Sequence, residues 1–189
     1  RFYAPADARS AFLAVRDATS AFGGHIVAVP RDNLPVLSKP GSNDPLWDIN
    51  DEWTPVTTYR RHEGASVAVL ALGAPSYMAG AASDAALKKG VPADVYVING
   101  FPLSDGFIEG LSRRYRRIVT VEDGLIGTLG SGLRGFAGYV SSALYGSSVA
   151  LEHFGIVDPQ IAPSDHFVQV WEHYGLTEAA ITARLLDHR

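Results

Sequence analysis

Arg31 is the residue whose type and setting point most directly to ligand chemistry. It follows the apolar run Ile26-Val27-Ala28-Val29 and Pro30, and it precedes the turn-forming pair Asp32-Asn33. A guanidinium between a strand end and a proline-punctuated loop suits an anion, because its planar fork donates two hydrogen bonds to phosphate oxygens. A second candidate is glycine-rich. Gly130-Ser131-Gly132-Leu133-Arg134-Gly135 matches GxGxxG, and Glu152, 22 residues after Gly130, stands where a dinucleotide fold grips a ribose hydroxyl. In such a fold the strand runs almost directly into the first glycine, so that the pyrophosphate meets a helix N-terminus. Here the eight residues Glu122 to Leu129 intervene after Val121. That spacing favours a longer loop before a helix whose glycines give it a close-packing face.

The other chemistry-bearing residues form no self-contained set. Glu122 and Asp123 follow the strand-like run Arg117–Val121, where open α/β sheets place ligands. Neighbours on a strand point to opposite sides, so the two carboxylates cannot work as one acid/base pair, and a capping or interface role is expected. The six histidines lack metal-site spacing such as HExxH. No GxSxG elbow frames a serine nucleophile. Arg113-Arg114 and Arg116-Arg117 end a predicted helix, where they suit the helix dipole and solvent.

The elements that must position these residues read clearly. Asp7–Phe22 is expected to be a helix, started by Pro5 and Asp7, with an apolar stripe of Ala8, Ala11, Phe12, Val15, Ala18 and Phe22. Gly23-Gly24 stops it, and the strand Ile26–Val29 follows. This αβ unit is too small to fold alone. Residues 38–64 read as a connector, with Trp47 and Trp53 pinning it to a neighbouring face. Strands are then expected at Ser66–Leu72, Asp94–Ile98, Arg117–Val121 and Ser148–Leu151, and helices at Ser76–Lys89, Ser104–Arg116, up to Leu144, His166–Tyr174 and Thr177–His188. Apolar strands alternating with helices predict an α/β fold, a three-layer, doubly wound and mostly parallel sheet.

Composition narrows the function classes. At 189 residues, 47% hydrophobic and 19% charged, the chain is an ordinary globular protein. A net charge of −4, with no basic block, gives no reason to expect a nucleic-acid partner. The absence of cysteine excludes disulfides and thiolate chemistry and fits a cytoplasmic protein. No apolar run reaches the ~20 residues that span a bilayer, so no membrane partner is expected. The start at Arg1, with neither methionine nor a signal-peptide pattern, is what a processed or partial product would show.

Two segments resemble the C-terminal part of the transketolase group of thiamine-diphosphate enzymes. Pro5-Ala6-Asp7 before a helix, with Val29-Pro30-Arg31-Asp32-Asn33-Leu34-Pro35-Val36-Leu37 after a strand, looks like the end of the family's pyrimidine-binding domain. Ile118-Val119-Thr120-Val121-Glu122-Asp123, the Gly127/Gly130-Ser131 turn and Tyr174-Gly175-Leu176-Thr177 look like its C-terminal domain. The style is nearest to the C-terminal chain of a split transketolase. The resemblance implies three regions: 1–37, the end of a pyrimidine-binding domain; 38–64, a connector; and 65–189, a transketolase C-terminal-like domain.

It further implies a portion of an enzyme that moves a two-carbon ketol unit between phosphorylated sugars, with Arg31 as the substrate-binding residue. The family's GDG diphosphate motif and its pyrimidine-contacting glutamate segment are not in this sequence. Thiamine diphosphate and Mg2+ are therefore expected on companion domains or a companion subunit, in a homodimer of such pairs, with no catalytic, cofactor or metal residue here. A beta-type subunit of a 2-oxo acid dehydrogenase or a deoxyxylulose-phosphate-synthase-like enzyme is the alternative within the group. Outside it stand a dinucleotide-binding domain using Gly130–Gly135 and a non-catalytic interaction module.

Overall fold

The computed structural model describes residues 1–30, 33–158 and 164–187. Its centre is a five-stranded sheet of β3 (Val56–Arg60), β4 (Val67–Leu72), β5 (Ala93–Ile98), β7 (Arg117–Leu125) and β8 (Ala150–Ile156), in the order β3-β5-β4-β7-β8. All neighbours are parallel except the β3–β5 pair at one edge. The central strands are buried on both faces, and alternate residues feed two cores. Val67, Val69, Val95, Val97, Val119 and Val121 enter one, and Ala68, Leu70, Tyr96, Ile98 and Ile118 the other. The period of two thus places successive side chains in opposite layers.

Helices α2 (Ser76–Leu87) and α6 (Glu178–Leu186) pack together on the first core. Helix α3 (Asp105–Arg114) and helix α4 (Gly135–Ala143) cover the second. The small residues of α2 let it lie close to β3: a Cβ on Gly80 would meet the Tyr59 ring at 2.3 Å. Ser104 caps α3 by accepting from Phe107 N–H at 3.2 Å. Thr177 caps α6 in the same way from Ala180 N–H at 3.1 Å, after Gly175 (φ +70) ends α5 (Phe167–His173). The late Tyr-Gly-Leu-Thr motif is therefore a helix stop and a helix start, with Leu176 buried between them.

The N-terminal unit docks on this domain through a second, small sheet. There β1 (Phe2–Tyr3) pairs in parallel with β2 (Ile26–Val27) and antiparallel with β6 (Gly100–Phe101), which follows β5 directly. Helix α1 (Ala8–Ser20) joins β1 to β2. Trp47 is buried, donating from Nε1 to Thr57 Oγ1 at 3.0 Å, and Trp53 lies 4.7 Å from the Tyr3 ring. Trp53 thus packs the 38–64 stretch against β1, while Trp47 bonds within the stretch and enters the first core.

Four features differ from the sequence expectation. The stretch 38–64 contains β3, whose Val56, Thr57, Thr58 and Tyr59 have strand propensity but sit beside Pro55 and an acidic run. The apolar stripe of α1 does not face the body of the chain; Ser10, Leu13 and Ala14 do, while Phe12, Val15 and Phe22 are exposed. The last strand runs over Ala150–Ile156, beyond the expected Ser148–Leu151, and so includes Glu152 and His153. Finally, Arg117 is not solvated. It is a buried strand residue that donates to the Leu185 carbonyl at 2.8 Å and to Arg184 O at 3.3 Å, satisfying the end of α6.

Candidate functional site

Asp7 couples the two N-terminal sequence motifs. As the N-cap of α1 it accepts from Ser10 N–H at 2.8 Å through Oδ1, while Ser10 Oγ accepts from Asp7 N–H at 3.0 Å in a reciprocal capping box. Its second oxygen, Oδ2, accepts from Leu37 N–H at 2.8 Å. The buried carboxylate therefore ties the Pro-Ala-Asp turn to the far end of the Arg31–Leu37 motif. Arg31 and Asp32 lie outside the described residues; Pro30 and Asn33, which flank them, line a cavity of about 190 Å³ together with Asp7, Ala8, Ala11 and Leu34.

Strand order places a second cavity beside the first. The chain passes from β4 outward to β5 and then crosses to β7 on the other side of β4, so the sheet's switch point lies between the carboxyl ends of β4 and β7. A cavity of about 210 Å³ opens there, between Gly73 and Asp123 of the domain and Ala4, Pro5, Val29 and Pro30 of the N-terminal unit. The approach of the two units is tight. Gly73 has φ +61, and a Cβ on it would stand 3.1 Å from the Ala4 carbonyl oxygen, so glycine is required there.

Glu122 and Asp123 diverge as their neighbouring strand positions demand. Asp123 is exposed toward that cavity, while Glu122 is buried under the start of α4. The Glu122 carboxylate accepts from Phe136 N–H at 3.1 Å and Ala137 N–H at 2.8 Å. Gly124, Gly135 and Gly155 form its cradle: a Cβ at any of them would stand 2.6–3.2 Å from the Glu122 side chain. Burial pushes its carboxyl pKa above the usual range, and the two amide donors partly oppose that shift. Glu122 thus takes the capping role.

This arrangement removes the dinucleotide reading. The N-terminus of α4, where a pyrophosphate would sit, already holds the Glu122 carboxylate. Glu152, the proposed ribose ligand, is held by Arg184 at 3.1 Å and Arg117 at 3.4 Å. Gly135 and Gly138 serve close packing, a Cβ on Gly138 meeting Leu133 O at 3.0 Å.

Two polar clusters were not singled out by sequence reasoning. His153 bridges Thr120 Oγ1 at 2.8 Å and Ser141 Oγ at 3.0 Å, joining β7, β8 and α4. The fully buried Asp94 accepts from Tyr115 OH at 2.5 Å and His62 N–H at 2.7 Å, with Arg114 at 3.2 Å. Its partners lie 20 to 32 residues away in the chain, so no local spacing announces the cluster. Among the described residues no group of three His, Asp or Glu side chains could hold a metal ion, and no helix is long and apolar enough to cross a membrane.

No family model matches the chain, and no curated protein matches its sequence. Solved structures do. A split-gene transketolase, described as an inactive beta4 tetramer, superposes with a TM-score of 0.79 at 21% identity, over 97% of this chain and 56% of that one. The transketolase of Campylobacter jejuni gives 0.68 at 18% identity, over 98% and 26%. That of Pichia stipitis, in complex with sedoheptulose 7-phosphate, gives 0.65 at 18%, over 97% and 24%. The chain spans about half the length of the split-gene chain and about a quarter of the other two. Likeness at these identities establishes the architecture: this chain has the fold of the C-terminal part of a transketolase.

Proposed function

We propose that the chain is the C-terminal portion of a thiamine-diphosphate-dependent, transketolase-like transferase that moves a two-carbon ketol unit between phosphorylated sugars. The observation that carries this reading is the structural match to a split-gene transketolase over 97% of the chain. The Asp7–Leu37 hydrogen bond supports it locally, because it fastens the ends of the two motifs that suggested the family. In this reading Arg31 binds the substrate phosphate, its fork donating to two oxygens and so orienting the sugar. Asp7 is a positioning residue for that segment.

No step is assigned to thiamine diphosphate or Mg2+ on this chain, whose sequence lacks the GDG diphosphate motif. Both belong, in this reading, to a companion carrying the diphosphate-binding region and the rest of the pyrimidine-binding region. The working enzyme is then a homodimer of such pairs, and the lack of cysteine suits a cytoplasmic setting.

The test is reconstitution. This chain, mixed with a thiamine-diphosphate-binding companion and Mg2+, should transfer a ketol unit between sugar phosphates. Arg31→Ala should then raise KM for phosphorylated donors by about 10- to 100-fold, as loss of a charge-assisted pair of hydrogen bonds would. Equal KM values for the variant and the parent would remove Arg31 from the phosphate role. Reconstituted activity on 2-oxo acids instead of sugar phosphates would replace transketolase with its relatives.

A further inference from the structure

Arg114, in the basic run that ends α3, does more than meet solvent. Its Nη2 stands 3.2 Å from Oδ2 of the fully buried Asp94. Arg61, which follows β3, brings its Nη1 to 3.4 Å from the same oxygen. One guanidinium balances one carboxylate, so the second positive charge is surplus. Asp94 also has closer donors than either. Its Oδ1 accepts from His62 N–H at 2.7 Å, and Oδ2 accepts from Tyr115 OH at 2.5 Å. Both arginine contacts are longer than the roughly 2.7–2.9 Å of a full charge-assisted bond.

Two buried tyrosines hold these cations in place. Tyr115 gives its proton to Asp94, so Tyr96 OH donates to Tyr115 OH at 2.7 Å and accepts from Arg61 Nη1 at 2.6 Å. Arg114 lies over the Tyr115 ring, 5.4 Å from its centroid. A surface arginine ordinarily loses rotamer freedom when it binds an anion, and here that freedom is already restricted. The outer edges stay open, the Arg61 and Arg114 side chains being 49% and 39% exposed. Among the described residues no acceptor engages Nε or Nη2 of Arg61, or Nε or Nη1 of Arg114.

The surroundings carry the same sign. Lys88 and Lys89 close α2 just before β5, and Arg116 stands just before β7, so these exposed cations share the amino end of the parallel strands with Arg61 and Arg114. The nearest acids on the two helices are already paired, Asp84 with Arg60 at 2.8 Å and Glu109 with Arg113 at 2.7 Å. Glu63, exposed in the β3–β4 connection, offsets part of the charge. In a chain of net charge −4, this end of the sheet is positive.

From the surplus charge and the open donors we infer that Arg61 and Arg114 form an anion site that takes a phosphoryl group. Its oxygens accept from the outer edges of both guanidiniums, whose planar forks match phosphate geometry. A phosphoryl group near neutral pH approaches two negative charges, which suits two cations that share one carboxylate. The site stands at the end of the sheet opposite the switch-point cavity, roughly 17 Å away along β4. It uses neither Arg31 nor ketol transfer.

The test titrates the full chain with inorganic phosphate at low ionic strength and near neutral pH, following the arginine Nε–H signals by NMR. The Arg61 and Arg114 signals should shift together and saturate, while chloride at equal ionic strength leaves them in place. Arg61→Gln and Arg114→Gln should each weaken binding at least about tenfold. Arg61→Lys, which keeps the charge and loses the fork, should weaken it by a smaller factor. Circular dichroism checks that the variants fold, and the signals of the parent chain test the site without any substitution. Arg31→Ala should leave the two shifts unchanged, so this site and the proposed role of Arg31 fail or hold separately. Glycerol phosphate binding more tightly than inorganic phosphate assigns the site to a phosphorylated metabolite; equal affinity assigns it to free phosphate. Signals that ignore phosphate, or that respond equally to chloride, overturn the inference. Binding that survives both glutamine variants does the same.

Discussion

Asp7 offers the sharpest test of how the site segment is held, because its two oxygens do separate work. Oδ1 caps α1 at Ser10 N–H, and Oδ2 holds Leu37 N–H, 30 residues away. Asp7→Asn keeps an acceptor for the cap, since asparagine is among the best N-cap residues. Its amide nitrogen cannot accept, so the Leu37 N–H loses its partner in a buried setting, at a cost of about 1–3 kcal/mol. Asp7→Ala also loses the cap, adding about 1 kcal/mol and bringing the total to roughly 2–4 kcal/mol. With a urea m-value of about 2–3 kcal/mol/M, the alanine variant should unfold about 1 M earlier and the asparagine variant about 0.5 M earlier. Hydrogen exchange at the Leu37 amide should accelerate in both variants, whereas exchange in the first turn of α1 should accelerate only in Asp7→Ala. An asparagine variant with the parent's midpoint and unchanged exchange at Leu37 would refute the division of labour.

Two further outcomes follow from the second core. Gly135→Ala should cost about 2–4 kcal/mol, because residue 135 has φ +57 and the new Cβ would stand 2.6 Å from Glu122 Oε2, displacing a buried carboxylate from its amide donors. A urea midpoint unchanged by that substitution would show that the cradle can relax. Burial pushes the His153 imidazole below its ordinary pKa, with Glu152 partly opposing, so the unfolded chain binds a proton more readily than the folded one. Its contribution to stability is then complete above about pH 6.5 and is lost as pH falls through the lower folded value. Stability of His153→Gln, measured against the parent from about pH 7.5 to 5, should fall less steeply. Parallel curves would remove His153 as a source of the acid sensitivity.

The sequence by itself determined the layers around the five-stranded sheet. Runs such as Val67–Leu72 and Ala93–Ile98 are apolar throughout and separated by helix-length segments, and only a parallel sheet covered on both faces buries such strands completely. Local chemistry also announced the start of α1 at Asp7, because capping depends on residues only a few positions apart. Arg31 remains a proposal read from its type and motif, because it lies outside the described residues.

What only the tertiary structure decided depends on partners distant in the chain. Strand β3 was hidden because its pairing with β5 joins residues some 40 positions apart, and its own five residues carry too little period to stand out. The burial of Arg117 depends on carbonyls 67 to 70 residues later. The same holds for α1. Its periodicity revealed a stripe, but a helix with apolar residues on two sides does not state which side its own chain covers. Folding buried Leu13 and Ala14 and left Phe12, Val15 and Phe22 outside, which turned an expected core into a surface. The GxGxxG match was likewise settled in three dimensions, when the Glu122 carboxylate took the helix N-terminus that a phosphate would need. Short-range spacing fixes elements and their caps; long-range packing decides which faces and charges remain free to act.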